Sequence, residues 1–215
     1  MSEAYTPPDT PLDILHADHE VLVVNKPAGL LSVPGKGEHL ADCLQSRLAA
    51  AFPEVLLVHR LDRDTSGVMV FGLTPHAQRS LNRQFETRRV KKVYVARVVG
   101  EVSDAEGVID LPIGVDWPNR PLQQVDHENG RAAVTRWRVQ RRGEGETRMR
   151  LYPETGRSHQ LRVHMLEIGH PILGDPFYAS GAARAFPRMM LHAESLRFAH
   201  PDGGKGLTFS ARPEF

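Results

Sequence analysis

Residues 55–71 have the sequence VLLVHRLDRDTSGVMVF, in which two apolar runs enclose a loop of charged and hydroxyl side chains. The runs 55–58 and 68–71 have the length and composition typical of buried strands. A polar loop held between two buried strands can keep a carboxylate in a fixed position toward a substrate. Residues 59–67 are therefore a candidate reactive site, and Asp62 is its central acid.

Two other interpretations of this loop are open on local sequence alone. Asp62 has Arg60 and Arg63 beside it, so it could be a turn aspartate in a plain salt bridge, which a buried carboxylate needs. Asp62-Arg63-Asp64-Thr65 also satisfies the D-x-D-x-T pattern of haloacid-dehalogenase phosphotransferases, with Asp62 as nucleophile, Asp64 as acid/base and Mg²⁺ required. Against the phosphotransferase, His59 and Arg60 interrupt the apolar strand that should lead directly into the first aspartate.

The composition is that of a globular protein without a membrane span. The chain has 215 residues, 40% of them apolar, and no run approaches the roughly 18 apolar residues of a spanning helix. The first residues lack the pattern of a signal peptide. The single cysteine, Cys43, excludes an internal disulfide and a cysteine-based zinc cluster. We expect a cytoplasmic protein.

The net charge of +1 says little about partners, but the basic residues are clustered. Two clusters are Arg79, Arg83, Arg88, Arg89, Lys91, Lys92 and Arg97, and Arg131, Arg136, Arg138, Arg141 and Arg142. Localised basic surface on a nearly neutral protein fits a polyanion, although a solvated helix face has the same composition.

Strand patterns outnumber helical ones and lack regular βαβ alternation, which predicts an α+β fold with a mixed, largely antiparallel sheet. We expect residues 1–12 to form a flexible arm and residues 13–215 a single domain. The expected strands are 21–25, 55–58, 68–71, 93–99, 108–113, 133–139, 148–152, 191–200 and 207–210. The expected helices are 39–52, one beginning at Pro75, and one with Ser158 as N-cap that runs to Ile168.

Polar and aromatic side chains recur at two further places. His159 and Arg162, three apart on the last helix, would share a face suited to a carboxylate or a phosphate. Tyr94 lies in an apolar strand, either as a core tyrosine or as an aromatic face for a flipped base. The loop 116–121 carries Trp117 and Arg120, which could stack on a nucleic acid. The histidine spacing does not favour a metal site.

Three motifs, in this order along the chain, resemble those of the RluA family of pseudouridine synthases. They are His59-Arg60-Leu61-Asp62 with Thr65-Ser66-Gly67, then Lys92 with Tyr94, then His159-Gln160-Leu161-Arg162 with His164. The resemblance runs from about Val21 to Phe215 and includes residues 25–30, 174–178 and 191–193. The length and the loop 117–121 are similar to the compact branch that lacks an S4 domain.

The resemblance implies a role for each motif. Asp62 would be the catalytic aspartate, and Arg162 would hold it in a salt bridge. Tyr94 would stack on the target uracil and is a candidate for the last proton transfer. Arg60 would fill the space that the flipped nucleotide leaves. Whether the aspartate attacks the sugar, attacks the base or removes a sugar proton is left open.

The resemblance also implies the substrates: 23S rRNA and the tRNA anticodon stem-loop, of the uridine 746 and uridine 32 type. The family needs no cofactor and no metal, and we expect a monomer. A catalytically silent RNA-binding module is the alternative, which the joint presence of aspartate, tyrosine and arginine argues against. The expected substrate-binding residues are Arg60, His59, Arg88, Arg89, Lys92, Trp117, Arg120, His159 and Gln160.

Overall fold

The computed structural model describes residues 5–215, which form two compact units. The first unit contains residues 5–91 and Ala193–Glu214, and the second contains Lys92–His192 and Phe215.

The strands are β1 (Asp13–Ala17), β2 (Val21–Lys26), β3 (Leu56–Leu57), β4 (Ser66–Gly72), β5 (Lys91–Val99), β6 (Glu106–Asp110), β7 (Ile113–Val115), β8 (Gln123–Val125), β9 (Val134–Gly143), β10 (Glu146–Pro153), β11 (Leu191–Ala199) and β12 (Gly206–Ser210). The helices are α1 (Leu44–Ala49), α2 (Pro75–Glu86), α3 (Gln160–Glu167) and α4 (Gly181–Arg184), with a 3₁₀ turn at Glu38–Leu40. The α+β class is confirmed.

The first unit is built around β4, which is buried along its whole length. β4 pairs antiparallel with β2 and with β3, β1 pairs with β2, and β12 pairs with β11. Helix α2 begins at Pro75, as expected, because Thr74 accepts a hydrogen bond from the Ala77 N–H. Its Leu81 packs with Val70 in the apolar core of this unit.

The N-terminal region differs from expectation in one helix and one strand. The helix expected over 39–52 is shorter, because Cys43 and Ser46 form a reciprocal capping box that starts α1 at Leu44. Strand β1 was not expected at all. Of the arm expected at 1–12, residues 1–4 lie outside the described residues, whereas the Tyr5 hydroxyl accepts from the Leu31 N–H at 3.0 Å.

In the second unit β5, β10, β9 and β6 form an antiparallel sheet, and β7 pairs with β8 as a separate ribbon. Alternate residues of the sheet, such as Ala96 and Met149, meet Leu161 and Met165 of α3 in one apolar core. The strand expected over 108–113 is divided: β6 ends at Asp110 and β7 begins at Ile113. Pro112 has no N–H to continue a ladder.

The third helix begins one residue later than the sequence predicted. The N-cap of α3 is His159, not Ser158, and His159 has a left-handed backbone with φ 53°. The preceding turn is closed by Gln160, whose side-chain oxygen accepts from the Arg157 N–H at 3.0 Å. Among residues 5–215, no helix is long and apolar enough to cross a membrane.

Candidate active site

Hydrogen bonds hold the backbone on the N-terminal side of Asp62. The Ser32 hydroxyl donates to the Leu61 carbonyl oxygen at 2.7 Å and accepts from the Leu61 N–H at 3.1 Å. The Thr65 N–H donates to the Asp62 carbonyl oxygen at 3.2 Å. Since Ser32 is itself buried, the support for Asp62 is a fixed part of the core.

A buried lysine holds the C-terminal side of the same loop. Lys26 is 0% exposed, and its Nζ donates to the carbonyl oxygens of Pro27, Leu30 and Arg63 at 2.8, 2.7 and 2.9 Å. The Gly29 N–H also donates to the Arg63 oxygen, at 2.9 Å. Three carbonyls match the three donors of an ammonium group, which compensates for its burial. The segment 25–30 was expected only as part of the family match, and this role of Lys26 was not predicted from the sequence.

Gly67 allows the loop to enter β4. Its φ is +118°, and a Cβ placed there would lie 2.3 Å from the Ala193 carbonyl oxygen. Both the backbone angle and the close approach therefore require glycine.

The arginine that follows Asp62 pairs with the next acid. Arg63 donates from Nε and Nη2 to the two oxygens of Asp64, at 2.9 and 3.1 Å. Asp64 is thus held in a local ion pair, which is not what the acid/base of the phosphotransferase alternative requires. Within residues 5–215 there is no group of three or more histidine, cysteine or acidic side chains arranged to hold a metal ion.

The other expected substrate-binding residues of the first unit differ in exposure. His59 is built into the fold: its Nε2 accepts from the Val70 N–H at 3.1 Å, and its ring stacks on Phe85 at 4.7 Å between centroids. Arg60, Arg88 and Arg89 are exposed, and the two last follow the C-terminal end of α2. They form the accessible basic surface of this region.

Tyr94 and Lys92 lie two apart on β5. Tyr94 is half-buried and packs against the apolar core of the second unit. The Lys92 Nζ donates to the Thr155 carbonyl oxygen at 2.8 Å, and burial lowers the pKa of this lysine to about 8. Lys92 is thus a positively charged group near its titration point at neutral pH.

The amide of Gln160 joins α3 to the neighbouring strands. Its oxygen accepts from the Thr155 hydroxyl at 2.7 Å and from the Arg157 N–H, and its nitrogen donates to the Val134 oxygen and the Thr135 hydroxyl, both at 3.0 Å. Gln160 is buried, so its amide is engaged inside the protein. A direct role of Gln160 in substrate binding stays a prediction. Its structural role is to link the start of α3 to the strands beside it.

His164 continues this network. Its Nε2 donates to the Leu111 carbonyl oxygen at 3.0 Å, and its Nδ1 accepts from the Thr135 hydroxyl at 2.9 Å. Burial lowers the pKa of His164, which keeps the ring neutral. This histidine of the third motif therefore joins helix α3 to Leu111 and Thr135.

Arg162 lies buried on α3, in an ion pair with an aspartate that was not among the site residues predicted from the sequence. Its Nε and Nη2 donate to the two oxygens of Asp175 at 2.7 and 2.8 Å. The rings of Phe177 and Tyr178 lie 5.2 and 5.0 Å from the guanidinium carbon. The only sequence signal for Asp175 was the family match at residues 174–178.

His159 meets the same aromatic group. Its Nδ1 lies 2.8 Å from the Tyr178 hydroxyl, and its ring centroid lies 5.8 Å from that of Phe177. His159 and Arg162 therefore both lie against Tyr178.

The loop between β7 and β8 presents an exposed aromatic side chain. Trp117 is 67% exposed, and the Arg120 guanidinium lies 4.7 Å from the centre of its ring. Both expected substrate-binding residues of the loop are therefore accessible to a partner.

A protein-family comparison matches the RNA pseudouridylate synthase model over residues 20–167. The Escherichia coli K12 protein named dual-specificity RNA pseudouridine synthase RluA is 53% identical over 216 residues, 99% of each chain. The Yersinia pestis protein of the same name is 51% identical over 204 residues, 94% of this chain and 99% of that one.

Solved structures agree with this match. Human RNA pseudouridylate synthase domain containing 1 superposes with a TM-score of 0.81 at 31% identity, over 98% of this chain and 87% of that one. Human RNA pseudouridylate synthase domain containing 4 gives 0.75 at 27% identity, over 94% and 89%. The chain therefore belongs to the RluA family of RNA pseudouridine synthases, isomerases that act on uridine in RNA.

Proposed function

We propose that this enzyme isomerises specific uridines of 23S rRNA and of the tRNA anticodon stem-loop, with Asp62 as its catalytic carboxylate. The observation that carries the proposal is the support of the Asp62 loop, whose backbone is held by Ser32 on one side and by Lys26 on the other. A carboxylate on such a support keeps one position relative to a bound nucleotide. The two RNA classes are supported by the dual-specificity relatives, which match nearly the whole chain.

The reaction needs an ionised carboxylate and no redox partner. The bond between uracil N1 and ribose C1′ breaks, a bond from C5 to C1′ forms, and the proton on C5 is lost while N1 gains one. Atoms and electrons therefore balance within the nucleotide. Three alternative routes give Asp62 a role as an ionised carboxylate: attack on the sugar, attack on the base, or removal of a sugar proton.

Tyr94, Arg162 and Arg60 complete the proposed site by their match to the family motifs. Extrusion of the target base costs a few kcal/mol and requires a stacking surface and a side chain that fills the space left. We assign the stacking surface to Tyr94 and the filling side chain to the exposed Arg60. By the same match, we assign Arg162 to the catalytic machinery.

RNA contacts are assigned to the accessible cations and aromatic groups. Arg88 and Arg89 are exposed and contact phosphates, and Trp117 with Arg120 offers a face on which an unpaired base stacks. Lys92 and His159 are the remaining contacts. His59 and Gln160, both hydrogen-bonded inside the fold, support the site. We expect a cytoplasmic monomer that needs no cofactor.

The test replaces the proposed catalytic group and its neighbour separately. Asp62→Asn should lower the single-turnover rate of pseudouridine formation by roughly 10³-fold or more, with RNA affinity within about three-fold of wild type. Asp64→Asn, in the same loop, is the matched control and should keep its rate within about three-fold. Substantial turnover by Asp62→Asn would remove that residue from its proposed role.

The substrates are tested in cells. Carbodiimide-based sequencing of RNA, with and without the gene, should show pseudouridine lost from one site in 23S rRNA and from tRNA anticodon stem-loops. Plasmid-borne wild type should restore both, and Asp62→Asn should restore neither. Loss in a single RNA class would contradict the dual specificity while leaving the isomerase activity in place.

A further inference from the structure

Arg162 is one of the most deeply buried charged groups in the described chain. Its side chain is 3% exposed, and that of its partner Asp175 is 0% exposed. A buried guanidinium is stabilised only by good geometry and by further hydrogen bonds to its partner. The fork from Nε and Nη2 to the two carboxylate oxygens supplies the geometry.

Asp175 is itself held in place. Its Oδ1 also accepts from the N–H groups of Phe177 and Tyr178, at 2.9 and 3.1 Å. The preceding Gly174 has φ 73°, and a Cβ there would lie 1.9 Å from the Arg188 carbonyl oxygen. The backbone of this turn therefore has little freedom, and contacts other than that with Arg162 also orient the carboxylate.

The fork also fixes the plane of the guanidinium. Since Nε and Nη2 donate to Asp175, rotation about the last side-chain bonds of Arg162 would break both hydrogen bonds. The rings of Phe177 and Tyr178 lie within 5.2 Å of the guanidinium carbon and restrict it further. Any contact that Arg162 makes through Nη1 has a defined direction.

We propose that Asp175 is a positioning residue for the isomerisation, acting through Arg162, whose guanidinium it holds in one orientation. This inference rests on the proposed function. The reason is geometric: an arginine whose plane is fixed in advance loses little freedom when it engages an anionic group during the reaction.

The experiment measures single-turnover rates and RNA affinity for Asp175→Asn, Arg162→Lys and the double variant. Asparagine can still accept from the Phe177 and Tyr178 N–H groups, but its NH₂ group cannot accept from an arginine. Asp175→Asn should lower the rate about ten-fold or more and Arg162→Lys about 100-fold, with RNA affinity within about three-fold of wild type. The double variant should match Arg162→Lys within about three-fold, because Asp175 acts through that residue.

Glu146→Gln is the matched control. Glu146 pairs with both Nε and Nη2 of Arg97, so this change also removes a carboxylate from an arginine fork in the same unit. Its rate should equal that of wild type. A slow rate in this control would show that the loss of any paired carboxylate in this unit lowers the rate of isomerisation. That result would overturn the inference.

The other outcomes separate the inference from the proposed function. A wild-type rate for Asp175→Asn beside a slow Arg162→Lys would overturn the positioning role alone, as would multiplicative losses in the double variant. A wild-type rate for Arg162→Lys would overturn both. If Asp175→Asn does not fold, Asp175→Glu replaces it. This variant keeps the charge but displaces the fork, and it should be about three-fold slower or more with unchanged RNA affinity; full activity would overturn the inference.

Discussion

Burial brings the titration of the Lys92 side chain close to physiological pH. Burial disfavours its charged form and lowers its pKa to about 8, and its one described hydrogen bond is to the Thr155 carbonyl oxygen. The charged fraction therefore falls as pH rises through about 8. If Lys92 contacts RNA as a cation, affinity must follow that fraction.

We predict that RNA affinity of the wild type falls between pH 7 and pH 9, whereas Lys92→Arg loses little over this range because arginine stays charged. The measurement is the dissociation constant at fixed ionic strength across these pH values. Equal pH dependence in the two proteins would show that Lys92 does not supply the charge.

Gly67 is the residue at which the backbone beside Asp62 permits no side chain. Gly67→Ala combines a positive φ with a 2.3 Å approach to the Ala193 oxygen, and we expect it to lower the free energy of unfolding by roughly 3 kcal/mol or more. Gly203→Ala is the control: φ is +71°, with no atom within 4 Å of the added Cβ, so the loss should be about 1 kcal/mol. Urea unfolding measures both. Equal losses of unfolding free energy in the two variants would mean that the backbone at Ala193 shifts to accommodate the added methyl group.

Among the secondary-structure elements, α2 carries one of the accessible groups of cations. Arg79 and Arg83 lie on the helix, and Arg88 and Arg89 follow its end, all of them exposed. Phosphate contacts by such residues release counterions, which makes affinity depend on salt.

We predict that the double variant Arg88→Gln with Arg89→Gln weakens RNA binding and reduces the slope of log affinity against log salt by about 1.5. The measurement is a salt titration of RNA affinity. The exposed Arg184 and Arg212, both changed to glutamine, are the charge-matched control and should leave the slope unchanged. An unaltered slope in the Arg88/Arg89 variant would place the RNA elsewhere on the surface.

At the scale of the chain as a whole, Asp18 connects the first strand of the protein to its C-terminal hairpin. Burial raises the pKa of Asp18, but hydrogen bonds from His16, from the N–H groups of Val21 and Glu20, and from His200 outweigh it, so the pKa lies well below its usual range. A depressed carboxyl pKa stabilises the fold above the unfolded-state value, and this contribution is lost as pH falls through the folded-state value.

We predict that Asp18→Asn is less stable than wild type at pH 7 and that the difference narrows progressively below about pH 4. The free energy of unfolding from urea titrations at pH 7, 5, 4 and 3 measures this. Asp13→Asn on β1 is the control, since Asp13 is exposed and accepts a single described hydrogen bond, from Asn25. A constant difference between Asp18→Asn and wild type at all pH values would contradict the linkage.

Much of the fold could be predicted because its signals are local. The buried β4 follows from its apolar run, and the start of α2 follows from Thr74 and Pro75, which act on adjacent residues. The extent of the first helix, the start of α3 and the existence of β1 were missed or misplaced. Each depends on a side chain or a strand partner whose contribution is not visible in local periodicity: Ser46 for α1, Gln160 for α3 and β2 for β1.

The sequence alone was sufficient for the family and for the identity of Asp62, Tyr94 and Arg162 as candidates, because motif residues and their order are properties of the chain itself. The supports of these residues came from tertiary structure. The Lys26 ammonium group donates to the carbonyl oxygen of Arg63, 37 positions away in the sequence. The Arg162 guanidinium donates to the carboxylate of Asp175, 13 positions away. Such contacts join side chains to atoms that only folding brings within hydrogen-bond distance, so no local pattern of residue types can predict them.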